Sequence, residues 1–436
     1  MADTLTTTSG FNRANAPAPT GQPAFVTALR EHALEAFEAL PVPSPETEEW
    51  RYTDLTGFDL DFVPFAEGGG PKAVNRHGLL AAAGVGGERA GLQIQRNSEV
   101  ISTQLGPTES ERGVILADLD AAATAHPELV ERYLHSLIPA DRTRFTALHA
   151  AFRTGGTLVY VPKGVRLELP LQTLTYLDAD GAAVFPHTVL VAEEDAEVTF
   201  IDRLASPDLE RALSDAVVEI HAGPNSRVRY VCLQEWGQGV THLSVQRATV
   251  ARGAEVRTLV VTLGASLSRS EAETVLEGDR GSSEMLGMYF GDATQHFDHR
   301  SIQDHVGNDT ASDLLYKGAL RDASRAVYTG TVIVEKDAHR VDAYQTNRNV
   351  LLSDRAKADS VPNLEILTND PVRCGHAASV GPVDETALFY LQSRGIPPGE
   401  AERLIVYGFF REVLDRIALA EVREGLERAI EAELEG

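Results

Sequence analysis

The chain has 436 residues, 43% apolar and 24% charged, and its 39 Lys and Arg against 64 Asp and Glu leave a formal net charge of −25. That composition belongs to a globular protein with a sizeable core, and the length to about three domain-sized units. The acidic balance argues against a broad nucleic-acid or anionic-membrane surface, so neither partner is expected. No run reaches the roughly 18 consecutive apolar residues of a membrane span, and the first twenty residues lack the basic and apolar regions of a secretory signal. A cytoplasmic protein is the expectation. Two cysteines, Cys232 and Cys374, provide no disulfide framework and no four-cysteine metal site within one chain.

Residues 1–88 read as an N-terminal helical region with a disordered start rich in Thr, Ala, Pro and Asn. Phe25, Leu29, Ala33, Ala36 and Leu40 stand at helical spacing and end at Pro41-Val42-Pro43. The stretch from Gly68 to Gly91 reads as loops with one short helix, and residues 125–150 read as helical again, with Pro127 in a first turn. From Phe152 to Thr368 the texture is β-rich, as in Thr157–Val161, Thr188–Ala192 and Val217–Ile220. No ten-residue helix separates these runs, so the choices are a sandwich, a barrel or a solenoid.

Turn-like triplets ending in a small residue recur at Ser226, Ala254, Ser282, Thr310 and Ala338, 28 residues apart, after an earlier one at Ala196. Six positions beyond the five evenly spaced ones stand Cys232, Val260, Met288, Tyr316 and Tyr344. A fixed period with a stacked apolar column is the signature of a parallel β-helix, whose coils bury their inner faces only by stacking. A core over 89–372 with this fold is predicted, and Cys232 is assigned to packing.

Residues 373–436 read as a C-terminal helical domain. Asp384 caps a helix that Gly395 stops. A second helix over about 399–418 is expected to place Ala401, Leu404, Ile405, Phe409, Val413, Leu414 and Ile417 near one face, and Val422, Leu426 and Ile430 mark a third.

No phosphate-binding G-x-x-x-x-G-K-[ST] and no G-x-S-x-G occurs, so any nucleotide energy must come from another chain. His296, Asp298, His299, Asp304 and His305 form the densest polar run; alternation along a strand sends His296 and His299 to opposite faces, which favours a structural polar ladder over a metal site. In Cys374-Gly-His376 the two side chains share a face, so thiolate and imidazole could meet one soft metal, with further ligands supplied from outside the chain.

Cys374-Gly-His-Ala-Ala-Ser-Val-Gly381, Leu388-Phe-Tyr-Leu-Gln-Ser-Arg-Gly-Ile396, Asp298-His-Arg-Ser-Ile-Gln-Asp-His305, Leu314-Leu-Tyr-Lys-Gly318 and Tyr160-Val-Pro-Lys-Gly164 resemble the SufB/SufD family of iron–sulfur cluster assembly proteins over about 145–410. The resemblance implies a right-handed parallel β-helix between helical ends. It also implies a cytosolic complex of SufB, SufD and two copies of the ATPase SufC. In SufB a glutamate follows the motif histidine, where Ala377 stands here, and a cysteine occupies the stretch around Ala356; lacking both, the chain is most similar to the SufD branch. That branch implies a non-catalytic scaffold with His376, and Cys374 beside it, at the interface with a SufB-like sister, where iron or a nascent cluster is bound transiently. No cofactor is then held tightly by the isolated chain, which could pair with itself. Leu388, Phe389, Leu404, Ile405 and Phe409 are the candidate residues for docking a SufC-like ATPase. The alternatives are a SufB-like cluster carrier and, on fold analogy alone, a polysaccharide-active β-helix enzyme using Asp298 and Asp304.

Overall fold

The computed structural model describes residues 10–17, 21–55, 57–68, 78–80, 86–417 and 420–435. Residues 1–9 and 18–20 of the start expected to be disordered, and 69–77 and 81–85 of the loop-rich stretch, lie outside the described residues. Residues 10–17 correct the expectation of disorder: Phe11 packs edge-on against Phe37, Phe152 and Phe185, and the N–H of Gly10 donates to Phe62 O at 2.8 Å.

Among the described residues, two ten-stranded sheets carry the fold. Each coil gives one strand to each: Arg227–Glu235 in the first sheet is followed by Val240–Val250 in the second, then by Glu255–Thr262 back in the first. Neighbours within a sheet run parallel, Val228 beside Val256 and Val217 beside Val245. The chain is thus a parallel β-solenoid with helices at both ends, as expected.

The recurring triplets are its corners. Asp195, Asn225, Gly253 and Asp309 all have φ between 54° and 68°, a left-handed conformation that Asn, Asp and Gly adopt at least cost. The residue after each, Ala196, Ser226, Ala254 or Thr310, points inward and is buried. Its small size lets the corner close, as where the N–H of Ser226 donates to Gly223 O at 3.1 Å.

The constant 28-residue period fails after one coil. Val228 stands beside Val256, but Val256 stands beside Ser283, and Ser283 beside Ser312, so the offset changes from 28 to 27 to 29. A one-residue slip reverses the face of every side chain. Cys232 and Val260 remain neighbours in register, yet Met288 packs beneath the C-terminal helices with Val413 and Ile417. The interior position opposite Val260 is Gly287. Tyr344 likewise leaves the column and pairs with Asp313. The period is an average over turns of unequal length.

The lumen is aliphatic in its first half, around Val159, Leu190, Val198 and Ile220, and aromatic in its second, around Tyr289, Phe297, Tyr316 and Tyr328. On the outer face of the second sheet, Ala24–Ala39 and Arg144–Phe152 pack Phe37 and Phe145 over Phe185 and Leu213. Leu119–Ala125 and Pro127–Tyr133 cover Val189 and Val191. Trp50, from the acidic segment near residue 48, lies under the Arg269 guanidinium, 3.8 Å from its ring centre.

The C-terminal helices Glu385–Ser393, Pro398–Leu414 and Ala420–Glu435 follow the solenoid. Val406, Phe410, Val413, Leu414 and Ile417, with Val422, Leu426 and Ile430, bury themselves on the outer face of the first sheet against Leu286, Met288 and Leu315. This corrects the predicted stripe: Leu404 is 48% exposed, Ile405 and Phe409 are half-buried, and Val406 and Phe410 take the inward positions. At 100° per residue Leu404 stands about 200° from Val406 on the helix. The buried Lys317 ammonium fixes the middle helix, 2.6 Å from Glu412 Oε2 and donating to Phe409 O at 2.8 Å.

Candidate functional site

The two ends of the solenoid differ. At the N-terminal end the sheets are turned over by antiparallel strands, Glu99–Leu105 on Gly91–Arg96 and Ile115–Asp118 on Thr157–Val161. The terminal strands at both ends are each bonded to a single neighbour; at the other end Lys357–Ile366 closes one sheet and Arg373–Pro382 the other, both in parallel pairing. An unpaired strand edge offers a row of N–H and C=O groups to another chain. The first of these edges carries Pro362 at its middle, which removes one donor; the second has no proline before Pro382.

Cys374 and His376 lie on this last strand. The strand falls within the segment read as helical (373–436), so the solenoid extends beyond 372. Its Gly-, Ala- and Ser-rich sequence has little β propensity, and pairing with Asp342–Leu351 holds it extended. Arg373 anchors its start, donating from Nε to Asp342 Oδ1 at 2.7 Å and packing over the Tyr344 ring. Cys374 stands beside Ala343 and packs against the patch of Val332, Val334 and Val341; partial burial pushes its thiol above the ordinary range. His376, two residues on and opposite the buried Gln345, is exposed. The strand therefore puts one half-buried sulfur and one open imidazole on the same side of a free edge, beside the exposed Val372 and Val380. Two ligands do not complete a site for a metal, but an approaching surface could supply the others.

The docking candidates sit on the helical hairpin that follows. Asp384 caps its first helix, accepting from Thr386 N at 2.8 Å, and Gly395 ends it at φ 88°. That helix buries no residue: Phe389 is 72% exposed, Tyr390 is open beside it, and Leu388 is half-buried. With Leu404 on the next helix they form the apolar surface of the hairpin.

The run at 296–305 is structural. Thr53 Oγ1 donates to Asp298 Oδ2 at 2.6 Å and stands 3.1 Å from His296 Nε2, tying the N-terminal segment to the outer wall. His299 faces inward and stacks on Tyr289. His305 is clamped between Thr310 Oγ1 and Ser312 Oγ, both at 2.8 Å. Among the described residues neither this run nor the Cys374–His376 pair joins a group of three converging ligands. His135, His149 and His187 do, and sequence reasoning missed them, because no motif spacing connects residues on a loop, a helix and a strand.

A parallel β-solenoid whose sheets finish in antiparallel strands at one end and in parallel strands at the other, followed by a helical hairpin with exposed apolar side chains, defines the class. Residues 8–173 match the SufBD protein N-terminal region, and residues 175–409 match the SufBD core domain of the SUF system for iron–sulfur cluster assembly. The chain is 31% identical over 419 residues to the iron–sulfur cluster assembly protein SufD of Bacillus subtilis, covering 94% of each chain. It is 36% identical over 420 residues to a SufBD family protein of Mycobacterium leprae, covering 94% of this chain and 95% of the relative. A SufBD family protein of Mycobacterium tuberculosis is 37% identical over 310 residues, 68% of this chain and 75% of the relative. The chain belongs to the SufBD family of iron–sulfur cluster assembly proteins.

Proposed function

We propose that this chain is a SufD-like, non-catalytic scaffold subunit whose open solenoid end pairs with a SufB-like sister and whose helical hairpin docks a SufC-like ATPase. The observation that supports it most is the free, proline-poor edge of Arg373–Pro382, which carries Cys374 and His376 where a second solenoid would add its own strand. Iron or a nascent cluster is then cargo, held between His376, Cys374 and groups of the sister. Ala356 and Ala377 stand where a SufB-like chain would carry cysteine and glutamate, which favours the SufD-like role over a self-sufficient carrier. The same edge gives the isolated chain a way to pair with a second copy. The complex acts in the cytoplasm, and ATP-driven movement of the docked subunits would open and close the junction.

Co-expression with candidate SufB-like and SufC-like chains, followed by native mass measurement, tests this. A joint complex containing all three is expected, with no stoichiometric cluster on this chain when it is reconstituted alone. A lone chain that assembles a full cluster would overturn the assignment.

A further inference from the structure

Away from the open end, three imidazoles converge inside the protein. His135 follows the helix Pro127–Tyr133, His149 lies in the helix Arg144–Phe152, and His187 begins the strand His187–Ala192. One ring nitrogen from each lies within 4.8 Å of the other two, and all three side chains are buried. The outward nitrogen of each ring is already engaged: His135 Nδ1 with Ile138 O at 2.9 Å, His149 Nδ1 with Asp215 O at 2.9 Å, and His187 Nε2 with Glu219 Oε2 at 3.1 Å. Glu219 is itself fixed by the backbone N–H groups of His135, Leu137 and Ile138 at 2.7–3.2 Å.

The inward nitrogens face one another. His149 Nε2 stands 3.2 Å from His187 Nδ1, and His135 Nε2 is buried with no partner. A shared proton explains the first contact: His187 would donate from Nδ1 to His149, while a proton between His187 Nε2 and Glu219 completes the chain. That arrangement leaves His135 Nε2 orphaned, a cost of about 1–3 kcal/mol for a buried polar group. A tetrahedral cation accounts for all three nitrogens. With metal–nitrogen bonds of about 2.0–2.1 Å its ligands stand about 3.3 Å apart, close to the separation of His149 Nε2 and His187 Nδ1. Ring nitrogens held outward by two carbonyls and a carboxylate are the usual outer shell of metal-bound histidines.

We propose that His135, His149 and His187 form an internal site for one borderline divalent cation of the zinc type. The bound ion would clasp the helical segment 127–152 to the solenoid wall, with one coordination position left for water. Burial lowers the affinity of all three imidazoles for protons. Arg153 and Arg30 are the neighbouring cations; Asp120 offsets Arg153 at 2.8 Å, and Glu219 supplies a compensating negative charge at His187.

The test uses the full chain carrying Cys374→Ser and His376→Ala, so that the open end cannot contribute and the result is independent of the role proposed for it. The chain is stripped with chelator and offered cobalt(II), first native and then during refolding. One cobalt per chain, tetrahedral visible absorption and a raised unfolding midpoint are expected. His135→Ala, which breaks only the Nδ1 bond to Ile138 O at the ring, should weaken binding at least about tenfold. Failure of the folded chain to take up cobalt by either route, or an unchanged spectrum in His135→Ala, would overturn the proposal. If His135→Ala does not fold, the uptake measurement on the parent decides alone.

Discussion

Tyr316 stands directly across from Gly287 on the preceding coil, and two residues further on the pairing reverses, with Tyr289 opposite Gly318. Each ring occupies the space a side chain would need: a Cβ on Gly287 would lie 2.2 Å from Tyr316 Cδ1, and one on Gly318 1.9 Å from Tyr289 Cε2. Both tyrosines are buried; Tyr289 Oη donates to Asn349 Oδ1 at 2.5 Å, and the Tyr316 ring is packed between Tyr328 and His299. Gly287→Ala should therefore destabilise the fold by about 1–3 kcal/mol, the usual cost of overpacking. Denaturant unfolding checks this; an unchanged midpoint would mean that the lumen is loose there.

His305 makes stability sensitive to acid. Burial holds it down to about 4, against about 6.5 for an ordinary histidine. Between those values the unfolded chain takes up a proton that the folded chain refuses, so this group's contribution is full above about 6.5 and is lost as pH falls toward 4. Asp304, pushed up to about 6 by burial, acts in the opposite sense over much of the same window. The difference isolates the histidine: relative to His305→Gln, the parent chain should lose stability as pH falls from 6.5 to 4. Parallel curves for the two would refute the assignment.

The two thiols should react in order. Both thiols are half-buried, but Cys374 lies on the terminal strand, while Cys232 lines a cavity inside the solenoid next to Tyr230 and burial pushes its thiol far up. The thiolate is the reactive form. Alkylation of the native chain followed by mass analysis should label Cys374 slowly and Cys232 only on unfolding. Labelling of Cys232 first would contradict the packing.

His376 is exposed, and surface substitutions usually cost under about 0.5 kcal/mol. His376→Ala should leave the unfolding midpoint nearly unchanged and yet reduce cluster maturation in cells that depend on this system. Normal maturation would remove His376 from the proposed junction.

Much of this organisation was legible in the sequence. Corners such as Pro224-Asn225-Ser226 announced themselves because a left-handed residue and a small buried one are chemically narrow choices, and Asp384 and Gly395 bounded a helix for similar reasons. The strict column of side chains was not legible, since one residue more or less at a turn moves Met288 from the lumen to the outer face. Arg373–Pro382 was hidden because its extended form comes from its neighbour Asp342–Leu351 and not from its own composition. The convergence of His135, His149 and His187 depends on how helices settle on a sheet, which leaves no periodic trace.

Hydrogen exchange of the last strand tests the central claim most directly. In the chain alone, amides of Arg373–Pro382 that face the free edge should exchange quickly. In a complex with SufB-like and SufC-like chains they should become protected, and Val380→Glu should abolish both the protection and the complex while leaving the solenoid folded. Equal exchange in the free and assembled chain would contradict the account, because the open end would then meet no sister.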